Sequence, residues 1–274
     1  MFFKRVYIAL FFIAFAIILS ACSGYEKLLK SRDYKLKYEK AMEYYAEEEY
    51  VRAATLLDQV APVYRGTMKA DTVFYYQAMS YYMQRDYILS GHYFKQLAID
   101  YPRSAFAEEC DFLTGYCYYK LSPRPALDQE STVKAITSFQ LFMIKYPGSS
   151  RNEEAQSLIE EMRDKLVEKS YMNGKLYYNL GDYKASIIAL RNSLNEFPDT
   201  RHREELMFLI LKSSYLLAEN SIIQKKKERY QDTIDEYYTF ISEFPESNYR
   251  KEAEKIYESA TAIVGAESQL TNNK

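Results

Sequence analysis

Few side chains in this sequence could carry out covalent or metal chemistry. Its 274 residues include three cysteines and two histidines, which are Cys22, Cys110, Cys117, His92 and His202. Neither histidine lies in an HExxH metal-binding motif, no serine lies in a GxSxG nucleophile turn, and there is no glycine-rich phosphate loop. We therefore predict that the protein is not an enzyme and binds no metal or cofactor, with both histidines in surface or structural positions.

The residues around Cys22 favour one specific modification. Lys4 and Arg5 precede fourteen uncharged residues, Val6–Leu19, a length typical of a signal-peptide core and short for a membrane-spanning helix. The segment ends in Leu-Ser-Ala-Cys at residues 19–22, which resembles the lipobox of bacterial lipoproteins. That resemblance implies diacylation of the Cys22 thiol and cleavage just before it. The alternative is an uncleaved N-terminal anchor with an incidental cysteine, and both alternatives exclude the cytosol.

The other two cysteines are predicted to be buried and unpaired. Cys110 and Cys117 are seven residues apart in a stretch with a helical pattern. Such a spacing separates them by about 10 Å along a helix, whereas a disulfide requires Cα atoms within about 7 Å. We expect both side chains to act as small hydrophobic residues.

The composition excludes some classes of function. Lys and Arg total 36 and Asp and Glu total 38, so the net charge is −2. Without an excess of cations, we expect no nucleic-acid binding. The sequence has 29 tyrosines, 15 phenylalanines and no tryptophan, and so many aromatic residues argue against a disordered chain. The acidic run Glu47–Glu49 is expected to be a solvated loop, with a metal site as the alternative. The run Lys225–Lys227 is expected to be a solvated turn or helix start, with contact to anionic lipid headgroups as the alternative.

An aromatic residue followed by proline recurs four times, at intervals of 45, 51 and 47 residues. A proline ends one helix, a following hydroxyl residue can cap the next, and acidic residues favour the positive N-terminal end of that helix. Each interval therefore holds at least two helices. The pairs are Tyr101-Pro102, Tyr146-Pro147, Phe197-Pro198 and Phe244-Pro245, and the expected caps are Ser104, Ser150, Thr200 and Ser247.

Within these intervals the pattern resembles the 34-residue tetratricopeptide repeat. Counting Pro198 as repeat position 32 places Gly174 and Ser186 at positions 8 and 20, where small residues let two helices cross closely. Tyr177 and Leu190 then fall at positions 11 and 24, beside that crossing. The resemblance implies an all-α fold, a right-handed α-solenoid of about five tetratricopeptide-like helix pairs with a C-terminal helix.

The predicted repeats divide the chain into five regions. A signal peptide (1–21) and a lipidated linker (22–33) precede three repeats (34–149), then two repeats with a capping helix (150–265), and finally a polar tail (266–274). Surplus residues lie between Leu121 and Thr132, over Asn152–Lys169, and at Lys225–Lys227. We expect Asn152–Lys169 to lengthen the first helix of the fourth repeat or to form an additional helix, and the capping helix to end near Val264.

A second, largely aromatic stripe occupies positions 5, 9 and 12 of the first helix in four repeats, distinct from the stripe at 4, 8 and 11. In tetratricopeptide proteins this stripe lines the concave groove that binds extended peptides, so the resemblance implies a peptide-binding groove. Its rings would bury apolar side chains while the tyrosine hydroxyls bond peptide backbone. The alternative is that the rings simply pack against one another. The candidate groove residues are Tyr38, Met42, Tyr45, Tyr75, Met79, Tyr82, Phe112, Tyr116, Tyr119, Tyr171 and Tyr178.

A lipobox followed by such repeats resembles the BamD family, the tetratricopeptide lipoproteins of the outer-membrane β-barrel assembly machinery. The resemblance covers Cys22 to Val264 and includes the junctions DYPRSAFAEE and KYPGSSRNEEA. It implies a lipid-anchored protein of the outer membrane that faces the periplasm. Its N-terminal repeats would bind unfolded outer-membrane proteins, and its C-terminal repeats would hold the periplasmic domains of the barrel-forming subunit, with other assembly lipoproteins as further partners.

Two other functions stay open. The first is a general tetratricopeptide scaffold for another periplasmic envelope complex. The second is a carbohydrate-uptake lipoprotein, although such proteins are usually longer and rich in tryptophan, which this sequence lacks. Residues 23–25 lack the acidic cluster that some lipoproteins use for export to the cell surface, which favours the periplasmic orientation.

Overall fold

The structure, a computed structural model, describes residues 24–272, with side chains through residue 265. Regular secondary structure in this range is helical, which confirms the predicted all-α fold. A helical stretch over residues 24–30, here called the N-terminal helix, precedes eleven longer helices. These are α1 (Tyr34–Ala46), α2 (Tyr50–Tyr64), α3 (Ala70–Met83), α4 (Tyr87–Asp100), α5 (Ala107–Leu121), α6 (Glu130–Lys145), α7 (Asn152–Asn179), α8 (Tyr183–Glu196), α9 (Arg203–Glu219), α10 (Ile223–Glu243) and α11 (Arg250–Asn272). The predicted signal peptide and Cys22 lie outside the described residues.

The helices form the pairs that the repeats predict. The pairs α1–α2, α3–α4 and α5–α6 are repeats 1 to 3, α7–α8 and α9–α10 are repeats 4 and 5, and α11 follows as the C-terminal helix. From α1 to α6, each helix packs on the next in sequence, and the same holds from α8 to α11. Short connections enforce this order, because a helix that begins directly after a tight turn can bury its apolar face only on the preceding helix.

The chain forms two compact units. Unit 1 comprises the described residues up to Ser122 together with Glu130–Glu160, and unit 2 comprises Pro123–Gln129 with the described residues from Glu161 onward. The boundary between them therefore falls inside α7 at residues 160 and 161. The functional division that we predicted after residue 149 stays a prediction.

The turn between the two helices of a repeat uses a left-handed residue. Glu48, Arg85 and Gly181 have φ values of 61°, 63° and 78° in repeats 1, 2 and 4. In repeat 2 the next residue, Asp86, donates its N–H to the carbonyl of Tyr81 at 3.0 Å, while Arg85 donates to Tyr82 at 2.9 Å. This bonding satisfies the last carbonyls of the first helix. Glu47–Glu49 form the same turn in repeat 1 and are exposed, as predicted.

The small residues at repeat positions 8 and 20 are packing sites, as predicted. Ala78 and Ser90 are fully buried in repeat 2, and the Ser90 hydroxyl donates to the Ala78 carbonyl at 3.1 Å. In repeat 4, Ser186 donates to the Gly174 carbonyl at 3.3 Å. A bulky side chain such as leucine at these positions would separate the two helices of the repeat.

The junction hydroxyl residues form turns and do not cap the helices. Ser104, Thr200 and Ser247 each accept an N–H two residues later, at 3.1, 3.2 and 3.0 Å. At the third junction this role belongs to Ser149, which accepts from the Arg151 N–H at 3.2 Å, and not to Ser150. Each helix starts three residues after the hydroxyl residue, so the prediction of helix caps was wrong. The side chain closes a short turn before the helix begins.

Three helices, α7, α10 and α11, are longer than the others, with 28, 21 and 23 residues. The surplus residues after Pro147 extend α7 to 28 residues, which confirms the first of the two predicted arrangements. The last helix, α11, runs to Asn272 and includes most of the segment that we predicted as a polar tail. The third insertion lies at the start of α10, where Lys225 and Lys227 are exposed. Among the described helices, none has the length and apolar character needed to cross a membrane.

The two cysteines of α5 are buried free thiols, as predicted. Burial raises the pKa of Cys117 to about 11 and raises that of Cys110 further. A Cβ atom on Gly91 of α4 would lie 3.1 Å from the Cβ of Cys117, so this side chain fills the contact between the two helices. Both thiols therefore act as small core residues and are protonated at neutral pH.

Candidate functional site: an aromatic layer on unit 1

Five stripe residues of α1, α3 and α5 belong to a continuous layer of rings in unit 1. Tyr45 meets Tyr76 edge-on, with ring centroids 4.9 Å apart, and Tyr76 meets Tyr75 at 5.5 Å. Tyr75 and Tyr82 both contact Phe94 of α4, at 6.3 and 6.2 Å. These distances are typical of attractive aromatic pairs. We call the following set the aromatic layer: Tyr45, Tyr75, Tyr76, Tyr82, Phe94, Phe106, Tyr116 and Tyr119.

The layer continues from repeat 2 to repeat 3. Tyr82 lies 6.5 Å from Tyr116, and Tyr116 lies 5.4 Å from Tyr119. The ammonium of Lys120 lies 4.9 Å from the Tyr116 ring centroid and 5.6 Å from that of Tyr119. The layer therefore has a cation at its repeat 3 end, held over two rings by cation–π attraction.

Four tyrosines of the layer have half-buried rings and available hydroxyl groups. Tyr45, Tyr75, Tyr82 and Tyr116 are all partly exposed, and no hydroxyl of the four hydrogen-bonds to another residue that the structure describes. Burial raises the pKa of Tyr75 and of Tyr82 to about 12, so both are neutral O–H donors at physiological pH. The layer can thus offer ring edges to apolar groups and O–H groups to carbonyl acceptors.

Phe112 lies beneath this surface, with its ring centroid 6.2 Å from that of Tyr116. Its side chain is only 1% exposed and packs against Phe139 and Phe142 of α6, with centroid distances of 5.4 and 5.5 Å. The guanidinium of Arg151 lies 4.2 Å from its ring centroid. The prediction of Phe112 as a groove residue was therefore wrong, because the second helix of its own repeat covers the ring.

In unit 2 the stripe residue Tyr171 is part of a polar network. Tyr171 is 9% exposed and stacks on His202, with ring centroids 4.1 Å apart. Its hydroxyl accepts from the Lys175 ammonium at 2.7 Å, and Lys175 also donates to Glu205 at 2.9 Å. His202 in turn lies 3.0 Å from a carboxylate oxygen of Glu168. Tyr171 is thus a structural residue and not a groove residue, and His202 has the structural role that we predicted.

The remaining stripe residues lie outside the ring chain. Tyr38 is half-buried and stacks on Tyr64 at 5.5 Å, with the Lys69 ammonium 5.3 Å from its ring centroid. Met42 and Met79 are half-buried on the same helices as Tyr45 and Tyr75. Tyr178 of unit 2 is half-buried and contacts Tyr183 at 6.1 Å. Whether these side chains bind a peptide stays a prediction.

Three members of the layer were missed from the sequence. Tyr76 joins repeat 1 to repeat 2, Phe94 lies beneath Tyr75 and Tyr82, and Phe106 stacks on Tyr75 at 4.2 Å with planes 15° apart. Phe106 comes from the turn after Pro102, outside any helical stripe. The one indication in the sequence was Ser104, two residues before Phe106, because its hydroxyl accepts the Phe106 N–H and so fixes this turn.

A pocket on unit 1 was also missed from the sequence. A hollow of about 320 Å³ is lined by apolar side chains that include Leu141 and Phe142, and by Lys95, Lys134 and Lys145. Lys145 donates to Asp111 at 2.6 Å. The three lysines come from two different helices, so no sequence run connects them. The hollow thus combines apolar side chains with ammonium groups, of which Lys145 is paired with Asp111 and Lys134 with Glu130.

The comparisons with known proteins identify the family. A family model described as YfiO, outer membrane lipoprotein, matches residues 31–230. The chain belongs to this family. A curated protein of Aquifex aeolicus (strain VF5) named as the outer membrane protein assembly factor BamD is 26% identical over 155 residues, which cover 57% of this chain and 50% of that protein. The match thus spans about half the length of the curated relative. The resemblance to the BamD family that the junctions indicated is confirmed.

Solved structures give more distant matches. The TPR2AB domain–pHSP90 complex of yeast Sti1 has a TM-score of 0.37 and 12% identity, covering 83% of this chain and 98% of that one. TPR-like repeats of a Podosopora anserina kinesin light chain have a TM-score of 0.34 and 14% identity, covering 86% and 95%. The assignment of tetratricopeptide-like pairs rests on the helices and the buried small residues described above.

Proposed function

We propose that this protein is a lipid-anchored, periplasm-facing component of the β-barrel assembly machinery that binds unfolded outer-membrane proteins and the barrel-forming subunit. Membership of the outer-membrane lipoprotein family supports the location. The aromatic layer of unit 1 supports substrate binding, because the half-buried rings of Tyr45, Tyr75, Tyr82 and Tyr116 carry hydroxyl groups without a hydrogen-bond partner among the described residues. The protein acts as a binding scaffold and catalyses no reaction.

The spacing of the layer suits an extended chain. In a β-strand, every second side chain lies on the same face, about 6.6 Å apart. The partly exposed ring pairs Tyr45–Tyr76, Tyr76–Tyr75 and Tyr82–Tyr116 lie 4.9 to 6.5 Å apart, and the buried ring of Phe94 supports Tyr75 and Tyr82 from beneath. Alternate apolar side chains of an unfolded strand can therefore contact neighbouring exposed rings, while the tyrosine hydroxyls donate to the backbone carbonyls between them. Aromatic side chains bury a large area at little conformational cost, which suits a binding surface.

The cation at the end of the layer gives a direction to the bound chain. C-terminal strands of outer-membrane proteins alternate apolar residues and often end in an aromatic residue with a free carboxylate. Lys120 lies over Tyr116 and Tyr119, so a terminal ring there would place its carboxylate near an ammonium. We propose that the C-terminus of the substrate lies at the repeat 3 end.

Unit 2 is proposed to hold the barrel-forming subunit. Met172 and Leu176 of α7 and Leu180, which directly follows its last residue, are spaced four residues apart and are all exposed, with Leu180 at 70%. This spacing places them along one face. An exposed apolar stripe of this kind is typical of a protein–protein contact. If it is the contact, Leu176→Glu should reduce co-purification of the barrel-forming subunit, and Ile144→Glu, a change at an exposed residue of unit 1, should not.

Substrate binding is tested with a synthetic C-terminal peptide of an outer-membrane protein, followed by fluorescence anisotropy. Tyr75, Tyr82 and Tyr119 are replaced together by Ala. Interface anchors of this kind cost about 1–2 kcal/mol or more each when truncated, so affinity should fall at least about tenfold. The matched control replaces Tyr118, Tyr177 and Tyr238, three partly exposed tyrosines outside the layer. We expect this control to bind as well as wild type.

Two further measurements keep the result decisive. Because the rings also pack on one another, circular dichroism must show that the triple variant retains its helices. The corresponding Tyr→Phe variant keeps the packing and removes only the hydroxyl groups, so it should show a smaller loss of affinity. A folded Ala variant that binds as tightly as wild type would show that the rings only pack against one another.

Co-purification with a large β-barrel protein separates this function from that of a scaffold in another envelope complex.

A further inference from the structure

The N-terminal helix is fixed to unit 1. The hydroxyl of Tyr25 donates to the carbonyl of Arg52 at 3.3 Å, and its ring meets Tyr44 edge-on at 5.6 Å. Leu28 and Leu29 pack against the buried cluster formed by α1, α2 and α3. Residues 24–30 are therefore part of the folded unit, because their apolar side chains are buried against it.

A buried lysine donates a hydrogen bond to the C-terminal end of this helix. Lys37 is 3% exposed, and its ammonium donates to the carbonyl of Leu29 at 3.0 Å and to the side-chain oxygen of Gln59 at 2.6 Å. The last carbonyls of a helix have no partner within it, so this ammonium supplies one. The same side chain connects the N-terminal helix to both α1 and α2.

The fixed helix begins two residues after the predicted lipid attachment site. Two residues can span at most about 7 Å, whatever their conformation. If Cys22 carries the lipid, the backbone of Gly24 thus lies within about 7 Å of the Cys22 Cα. The membrane anchor then has almost no tether, and the first helix must lie close to the lipid headgroups.

The exposed side chains that follow are suited to such a surface. Lys27, Lys30, Arg32 and Lys35 are all exposed, against only two carboxylates within residues 24–36. The chain as a whole is acidic, with a net charge of −2. Tyr34 and Leu36, also exposed, lie among these cations. Basic residues attract anionic lipid headgroups, and tyrosine is favoured at the membrane interface.

One of these cations, Lys27, lines an open hollow beside Gly24, Leu28 and Leu36. The volume of the hollow is about 690 Å³, and it is also lined by Lys40, which is paired with Glu43, and by Glu47. Gly24 places the hollow at the point where the chain arrives from Cys22. A phospholipid headgroup there would meet the Lys27 ammonium at its phosphate and the side chains of Leu28 and Leu36 at its glycerol end.

We propose that residues 24–36 dock on the phospholipid surface, with Lys27, Lys30, Arg32 and Lys35 contacting anionic headgroups. This proposal rests on the lipidation of Cys22 in the proposed function. It deepens that function, since the anchor then holds repeat 1, and with it the start of the aromatic layer, against the membrane instead of on a flexible tether.

The absence of tryptophan from the sequence makes a direct test possible. Tyr34→Trp introduces a single fluorophore into the lipidated protein, which is reconstituted in phosphatidylethanolamine vesicles with or without phosphatidylglycerol. Lipids brominated near the headgroup should quench this fluorophore strongly in the anionic vesicles. A second protein with Ile144→Trp, on exposed α6, should show little quenching because four helices separate α6 from α1.

Variants that lack these cations then test whether the quenching depends on their charge. In the Tyr34→Trp protein, replacing Lys27, Lys30, Arg32 and Lys35 by Gln should reduce the docked fraction, with the docking equilibrium falling about fivefold per removed cation. The matched control replaces Lys225, Lys226 and Lys227 by Gln and should leave the quenching at position 34 unchanged. Circular dichroism checks that each variant is folded.

The outcomes separate this proposal from the function on which it rests. Suppose that the Tyr34→Trp protein floats with vesicles but shows the same quenching with and without the four cations. It is then anchored yet not docked, which overturns this proposal alone. Protein with all four cations that does not float with vesicles at all has no lipid anchor, which overturns both. Quenching at position 34 that depends on the four cations and on anionic lipid supports docking.

Discussion

A Cβ atom on Gly174 would lie 2.5 Å from Cδ2 of Leu190, closer than packed carbon atoms come. Leu190 belongs to α8, the second helix of the same repeat, and is fully buried. Any added side chain at position 174 would therefore force Leu190 to shift within the core. The glycine is needed for this close approach of α7 and α8, and not for its backbone freedom.

Replacing Gly174 by Leu should therefore separate the two helices. Overpacking of this kind costs about 1–3 kcal/mol or more of unfolding free energy, and Ala78→Leu should act similarly in repeat 2 because Ala78 is fully buried. Urea denaturation measures the change. The control is Gly265→Ala in α11, where an added Cβ meets nothing within 4 Å, so it should stabilise the protein by about 0.5–1 kcal/mol. Unchanged stability for both packing variants would show that the repeat phase is wrong.

The left-handed turn residues give a second prediction. Arg85 has a φ of 63°, a conformation that costs a non-glycine residue about 1 kcal/mol. Arg85→Gly should raise the unfolding free energy by about 0.5–1 kcal/mol. Gly181 occupies the equivalent turn in repeat 4, and a Cβ there would meet no atom within 4 Å. Gly181→Ala should thus lower stability through backbone strain alone. Opposite signs for the two substitutions, measured by urea denaturation, are the expected result, and equal signs would contradict it.

Alkaline pH should destabilise the protein through the aromatic layer. Folding raises the pKa of Tyr75 and of Tyr82 from 10.0 to about 12 because their burial penalises the phenolate. The resulting stability is fully present below pH 10, where both states are protonated, and it decreases between about pH 10 and 12 as the unfolded chain loses these protons first. Denaturation at a series of alkaline pH values measures this slope. The double variant Tyr75→Phe, Tyr82→Phe should show a shallower decrease, and an identical slope would show that these groups ionise normally.

Cys22 should be the sole site of lipid attachment. Cys110 and Cys117 are buried in the core, with raised pKa values, so neither thiol can substitute for it. Cys22→Ala should therefore abolish incorporation of labelled fatty acid and leave soluble or signal-retained protein. Cys117→Ser should keep the label and the membrane location. Mature-sized Cys22→Ala protein that still fractionates firmly with the outer membrane would contradict lipid anchoring.

Much of the fold could be predicted because the repeat pattern is local. The spacing of small and aromatic residues determines which faces of adjacent helices meet, and proline stops limit where each helix can end. For this reason Gly174, Ser186 and Leu190 were placed together correctly, as was the long helix α7. The junction hydroxyls were misassigned because a turn and a cap use the same residue types and differ only in which N–H the side chain reaches.

The sequence by itself determined the helical phase of the tyrosine stripe, and only the tertiary structure decided which of its rings remain at the surface. Phe112 and Tyr75 occupy the same repeat position, yet Phe112 is covered by Phe139 and Phe142 whereas Tyr75 keeps a partly exposed ring against Phe106. Tyr171, also at that position, is covered by His202. Helical spacing specifies the direction of a side chain from its own helix, but its burial depends on side chains from other helices and turns, which no local pattern specifies.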